Sequence, residues 1–355
     1  MPIRFLTSLS LGVSLAGVAM ADAPKVATDI TPVQSLVARV MQGVGTPELI
    51  VRPGASPHGY AMRPSEAAAL ESADLVFWMG EGLTPWLEGA IGSLAGDAHV
   101  IELLGAAGSR VLPFREGVEF AAQDHGEAHA EEEPGHEDHA EDAAGHDDHG
   151  HDEEGHDEEG HDDHGHEKEH DDHADDDHGH AHDGADPHAW LDPANARVWL
   201  GLIAEELAEH DPDNAAVYTA NAAEAEAELV ALSAEIAAQI APVQDRSFLV
   251  FHDAYQYFET AFGVSASGAI SLGDAADPGP ARIAALREMA QEQGVTCVFS
   301  EPQFEPKLVE TVFGDVATHG VLDPMGSQVE PGPALYPQLI RDMAEALVTC
   351  LDGAD

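Results

Sequence analysis

Leu75-Val-Phe-Trp-Met79, a short Gly-rich turn, and then Thr84-Pro85-Trp-Leu-Glu-Gly-Ala-Ile-Gly-Ser-Leu94 form one unit of the chain. It is an apolar run followed by a helical pattern, opened by an N-cap threonine with proline at the first helical position. The same unit stands twice before it: Val26-Ala-Thr28 with Pro32 to Met41, and Glu48-Leu-Ile-Val51 with Pro64 to Glu71. Ala98-His-Val-Ile101 opens a fourth. Strands alternating with helices predict a parallel sheet carrying helices on both faces.

Further along, Asp192-Pro193 caps a helix bearing Val198, Trp199, Leu202, Ile203 and Leu207. Asp211-Pro212 then opens a stretch that reaches Ala241 with no internal Gly or Pro, stacking Leu229, Leu232, Ile236 and Ile240 on one face. At 1.5 Å per residue its ~28 residues span roughly 42 Å. That is more than one small domain needs, so it reads as a strut between two lobes; the competing reading is a core helix of a single domain. The strand–helix scheme then resumes. Phe248–Phe251 precedes a helix from Ala254 to Phe262, and Val264–Ile270 precedes Pro280–Gln293. Val295–Phe299 precedes Pro306–Phe313, and a strand near Val321 precedes Tyr336–Leu351. The expected fold is α/β: two lobes of four parallel strand–helix units each, residues 22–211 and 242–355, joined by one rigid helix over 212–241.

The first lobe is interrupted. From residue 121 to 186 the chain holds 28 carboxylates, one lysine and sixteen of the 22 histidines, for a formal charge near −27 within a total of −53. Gly-His-Asp-Asp-His-Gly-His occurs at 145–151 and again at 160–166. So little apolar surface cannot offset chain entropy, so this segment is expected to be a disordered loop. Imidazoles at such density bind metal, and His146, His149, His151, His161, His164 and His166 are its candidate auxiliary sites for zinc, with copper or nickel also fitting the donors. The acidity attracts dications and repels nucleic acid and anionic lipid.

Residues 1–21 combine Arg4, an apolar run from Phe5 to Met20 and the Ala19-Met20-Ala21 site, as in a cleavable export signal. No later segment is apolar long enough to span a bilayer. The expectation is a soluble, exported monomer, cleaved after Ala21 and without direct membrane insertion. Cys297 and Cys350 are the only cysteines, and an even pair in an exported chain reads as a disulfide, with two buried thiols as the alternative.

Ligands of open parallel sheets collect beyond the carboxyl ends of strands. The polar residues there are His58 after the second strand, His252 after the first strand of the second lobe, Glu301 after its third and Asp323 after its fourth. His188 lies where the acidic segment rejoins the fold. Three imidazoles with at most one carboxylate, Asp323, form a zinc-like shell. Glu301 and Asp253 are candidates to orient a ligand imidazole from behind, Asp253 alternatively to cap the next helix. His99, His210 and His319 read as structural or exposed, and Tyr60, Trp78, Trp190 and Tyr255 as cleft walls.

Pro-His58-Gly-Tyr with Arg63-Pro-Ser-Glu66, Asp-Pro-His188-Ala-Trp-Leu-Asp-Pro193, Phe-His252-Asp-Ala-Tyr255, Ser-Glu-Pro-Gln-Phe304 and Leu-Asp-Pro-Met-Gly326 occur in this order. Together they resemble the periplasmic zinc-binding component of high-affinity zinc ABC importers, a member of the metal-receptor cluster of solute-binding proteins. The resemblance implies two lobes on a single long helix, zinc held by His58, His188 and His252, a mobile His-rich loop before the second ligand, and a disulfide matching Cys297 and Cys350. It also implies an ABC permease as partner and no enzymatic activity. Manganese-type relatives often carry Glu where this chain has His252, so the histidine favours zinc. Three readings compete: a manganese receptor of the same cluster, a zinc hydrolase with Glu301 as general base, and an exported metal buffer acting through the acidic segment alone.

Overall fold

The computed structural model describes residues 23–115, 117, 120, 184–271, 278–304 and 307–353, which fall in one compact unit. Residues 1–21, read above as an export signal, and nearly all of the acidic segment read as a disordered loop, with its six candidate histidines from His146 to His166, lie outside the described residues. Among the described residues no helix is long and apolar enough to cross a membrane.

Among the described residues eight strands form two parallel sheets. Strands β1 (Val26–Thr28), β2 (Glu48–Leu49), β3 (Leu75–Trp78) and β4 (His99–Glu102) are ordered β2-β1-β3-β4. Strands β5 (Phe248–His252), β6 (Gly268–Ser271), β7 (Cys297–Ser300) and β8 (Thr318–Val321) repeat the scheme as β6-β5-β7-β8. The central strands are fully buried, as both-face burial under helices requires. Helices α1 (Thr31–Val40), α2 (Pro64–Glu71), α3 (Pro85–Leu94) and α4 (Pro193–His210) belong to the first lobe. Helices α6 (Gln256–Phe262), α7 (Pro280–Glu292), α8 (Lys307–Phe313) and α9 (Leu335–Asp352) belong to the second. Cys297 on β7 and Cys350 on α9 form a disulfide, with Cα atoms 6.1 Å apart.

Between the lobes runs α5 (Ala215–Ile240), 26 residues and therefore about 39 Å long. Tyr218, Ala222, Ala225, Leu229, Leu232, Ile236 and Ile240 are its buried stripe, at helical spacing. It packs on α1 and α4 at one side and on α6 and α9 at the other. One apolar core continues through α1, α4, α5 and α9, so the lobes share an interior rather than a bare hinge. Hydrogen bonds cross the same seam: Thr31 Oγ1 donates to Met325 O (2.6 Å), Trp190 Nε1 to Pro324 O (2.8 Å) and Tyr336 Oη to Trp190 O (2.7 Å).

Some boundaries differ from expectation for local reasons. The strut begins at Ala215, because Pro212–Asn214 forms a separate 3-10 turn. β2 keeps only two residues; Ile50 and Val51 still donate to Thr28 O and Asp29 O, and the chain then turns at Pro53. Residues before Gly268 are spent leaving α6, whose C-terminus is closed by Gly263 at φ 68°. Thr84 stands at the head of α3, but its hydroxyl donates to Gly80 O (3.4 Å) rather than capping it. Asp192 does cap α4, accepting from Ala194 N–H at 2.8 Å.

Candidate metal centre

In both sheets the strand order reverses between the first and third strands of the lobe, which is where such folds open a crevice. The two lobes use that point differently. In the first, Asp29 follows β1 and accepts from Met79 N–H (2.7 Å) past β3 and from Ile30 N–H (2.7 Å), so the crevice closes on itself. Complete burial raises the Asp29 pKa to about 7 against the pull of these amides. In the second lobe the equivalent gap is bridged by side chains: His252, last residue of β5, and Glu301, just past β7, pair through Nδ1 and Oε1.

His58 comes to the same place from the first lobe. Its loop is fixed by Arg52 Nε donating to Tyr60 Oη (2.8 Å), Tyr60 Oη to Glu66 Oε1 (2.8 Å) and Trp86 Nε1 to Pro57 O (2.7 Å). His188 arrives at the head of a 3-10 turn (Ala189–Leu191) leading into α4. Asp186 Oδ1 accepts from both its Nδ1 (2.7 Å) and its backbone N–H (3.0 Å). Ring centroids are 5.4 Å apart for His58–His188, 5.3 Å for His188–His252 and 6.4 Å for His58–His252. One ring nitrogen from each of the three lies within 4.8 Å of the others, His188 and His252 buried and His58 half-buried. Among the described residues no other group of three converges so closely.

Asp323 is not brought to this group. Its Oδ1 accepts from Met325 N–H (3.1 Å), and its Oδ2 from Ser327 N–H (2.6 Å) and Ser327 Oγ (2.7 Å), so it ties its own turn after β8. Asp253 neither orients His252 nor caps α6; it pairs with Arg115. Trp190 does line the site, its ring 5.3 Å from that of His188, and Tyr255 lies 6.3 Å from His252. Trp78 instead packs in the outer layer with Leu87 and Ile91. His319 accepts or donates to Ser300 Oγ (2.7 Å) in a structural role.

Two residues behind the site escaped the sequence reading. Asp186 is buried, which raises its pKa to about 7 although the His188 amide, Arg115 and His252 draw it down. Arg115 opposes the carboxylates: Nη1 donates to Glu259 Oε2 (2.7 Å) and Nε to Asp253 Oδ1 (3.0 Å). Burial alone would lower its pKa, but Glu259 and Asp253 outweigh it and move it up, so the guanidinium stays charged. The segment around Arg115 is stitched elsewhere too. Leu112 N–H donates to Tyr257 Oη (2.9 Å), Tyr257 Oη to Asp186 O (2.8 Å), and Phe120 N–H to Ser267 O (3.0 Å) beside β6. Pro113 and Ala185 form a bridge. The stretch after β4 therefore straps the first lobe to the second and sets the register of the segment bearing His188. Asp186 stands two residues before His188 in Asp-Pro-His, and Arg115 is one of only 14 cationic residues; those were the available signals.

Residues 26–350 match the family described as zinc-uptake complex component A, periplasmic (ZnuA). The chain belongs to this family. A curated relative, the high-affinity zinc uptake system protein ZnuA of Brucella abortus, is 47% identical over 341 residues, covering 96% of this chain and 94% of its own. Among solved structures, a 138–173 deletion mutant of ZnuA with zinc bound superposes with a TM-score of 0.66 at 23% identity, covering 93% of this chain and 98% of its own. FpvC of Pseudomonas aeruginosa in complex with Mn2+ reaches 0.67 at 18% identity, covering 94% and 99%. At these identities the structures attest a shared fold, two parallel four-stranded lobes on a long helix.

Proposed function

We propose that this protein is the periplasmic solute-binding component of a zinc importer. It takes up one zinc ion between His58, His188 and His252 and passes it to an ABC permease. The observation that carries this reading is the convergence of three imidazole nitrogens within 4.8 Å at the seam of the lobes. The donor chemistry agrees. Nδ1 of His188 is engaged by Asp186 and Nδ1 of His252 by Glu301, which commits Nε2 of each ring to the ion. Three neutral imidazoles suit zinc, whereas manganese prefers more oxygen donors. Asp323 is held by its own turn, so water or another small group completes the shell.

Glu301 argues against the hydrolase reading, because its carboxylate is spent on the rear nitrogen of His252 and on Gln303, away from where a metal-bound water would sit. The zinc ion is cargo here. Its ligands must be deprotonated to bind, so uptake weakens as pH falls below about 6. The test is a chelator-competition titration of the full chain and of the H58A/H252A double variant. The wild type should hold one equivalent far more tightly than the rest, and the double variant should lose that equivalent while keeping weak binding. A tight equivalent surviving in the double variant would overturn the assignment.

A further inference from the structure

A second set of metal-ligating side chains stands at the far end of the first lobe. His99 opens the edge strand β4, and Glu206 and His210 lie one turn apart near the end of α4. The rings of His99 and His210 are 5.4 Å apart, the spacing found between His58 and His188. His99 Nε2 lies 3.0 Å from Glu206 Oε2. The two form an ion pair when His99 is protonated, and the buried Oε2 has no other donor, so a deprotonated His99 leaves both atoms facing one another as lone-pair donors. His210 Nδ1 is taken by Glu206 O at 2.9 Å, which leaves Nε2 as its outward donor, the arrangement that backbone carbonyls impose on ligand histidines.

We propose that His99, Glu206 and His210 form a second, weaker site for a zinc-class dication, separate from the cleft. Two donors 3.0 Å apart, each about 2.05 Å from one ion, subtend roughly 94°, an ordinary ligand angle for zinc. The ion then sits off the nitrogen–oxygen line. The three donors are not converged in the structure as it stands; His210 completes the set through Nε2 by pivoting its exposed ring about the Nδ1 contact with Glu206 O. The Glu-x-x-x-His spacing supplies two ligands from one helix face, and the third comes from the strand beside it. α4 begins five residues after His188 and is 18 residues long, so the two sites are about 27 Å apart at its opposite ends. Occupancy here bolts edge strand β4 to the end of α4, and the folded body takes up more than one ion even when the acidic segment is discounted.

The test is histidine carbethoxylation of the full-length protein, read residue by residue by mass spectrometry across a zinc titration. The proposal predicts that zinc slows labelling of His99 and His210 several-fold and in parallel, at higher concentration than it slows His58. E206Q, or separately H210A, abolishes protection of His99 while His58 protection and His319 labelling stay as in the wild type. H58A/H252A leaves the His99–His210 protection intact. Unchanged labelling of the pair with zinc overturns the proposal, as does protection that survives both E206Q and H210A. Protection that disappears in H58A/H252A also overturns it, since the pair would then only echo the cleft.

Discussion

Replacing Glu301 isolates the role of the carboxylate behind His252. The wild-type acceptor is charged and buried, and a hydrogen bond to a charged group contributes roughly 1.5–3 kcal/mol against about 0.5–1.5 for a neutral pair. Glu301→Gln keeps shape and an acceptor oxygen, so the loss is the difference, about 1–1.5 kcal/mol, or close to tenfold in Kd. Glu301→Ala removes the acceptor altogether, and the affinity falls by the part of that cost which the metal-free ring escapes by reorienting, at most about 2–3 kcal/mol or about 30- to 150-fold. The assay is competition with a fluorescent chelator at neutral pH, with dissociation followed by stopped flow. The orienting role predicts that the loss appears as faster release, because the ring must hold its angle while the ion is bound. Zinc affinity within twofold of wild type in both variants refutes the reasoning.

Arg115→Met should destabilise the fold by about 3–5 kcal/mol, because Asp253 and Glu259 stay buried beside an uncharged side chain; urea unfolding reads this, and a change under about 1 kcal/mol contradicts it. Asp29 should tilt stability against rising pH. Its folded pKa of about 7 exceeds the ordinary 3.8, so its contribution is whole below pH ~4 and lost by pH ~7, a span of roughly 4 kcal/mol at most. Asp29→Asn should flatten that part of the stability–pH curve, and an unchanged slope in the variant contradicts the assignment.

The alternation of apolar runs and helical patterns made the two-lobe plan legible, because the central strands are buried on both faces and are mostly apolar. The strut was legible for the opposite reason: from Ala215 to Ile240 nothing breaks the helix, and the stripe through Leu229 and Ile236 has one period. Strand-end logic, with the motif resemblance, singled out His58, His188 and His252, which the structure brings together although 194 residues separate the outer two. It overreached at Asp323, where the following Pro-Met-Gly-Ser turn supplies amides that claim the carboxylate. It also misread Asp253, whose partner Arg115 is 138 residues away and joins it through a strap that leaves no periodic mark. His99 and His210 looked isolated for the same reason: pairing between a strand start and a helix end is set by tertiary packing, which no local pattern encodes.

Anomalous diffraction at the zinc edge, from crystals of the full chain loaded with one equivalent, reads the ligand set itself. The principal peak is expected about 2.0–2.1 Å from Nε2 of His188, Nε2 of His252 and a ring nitrogen of His58. A principal peak that misses any one of those three rings contradicts it.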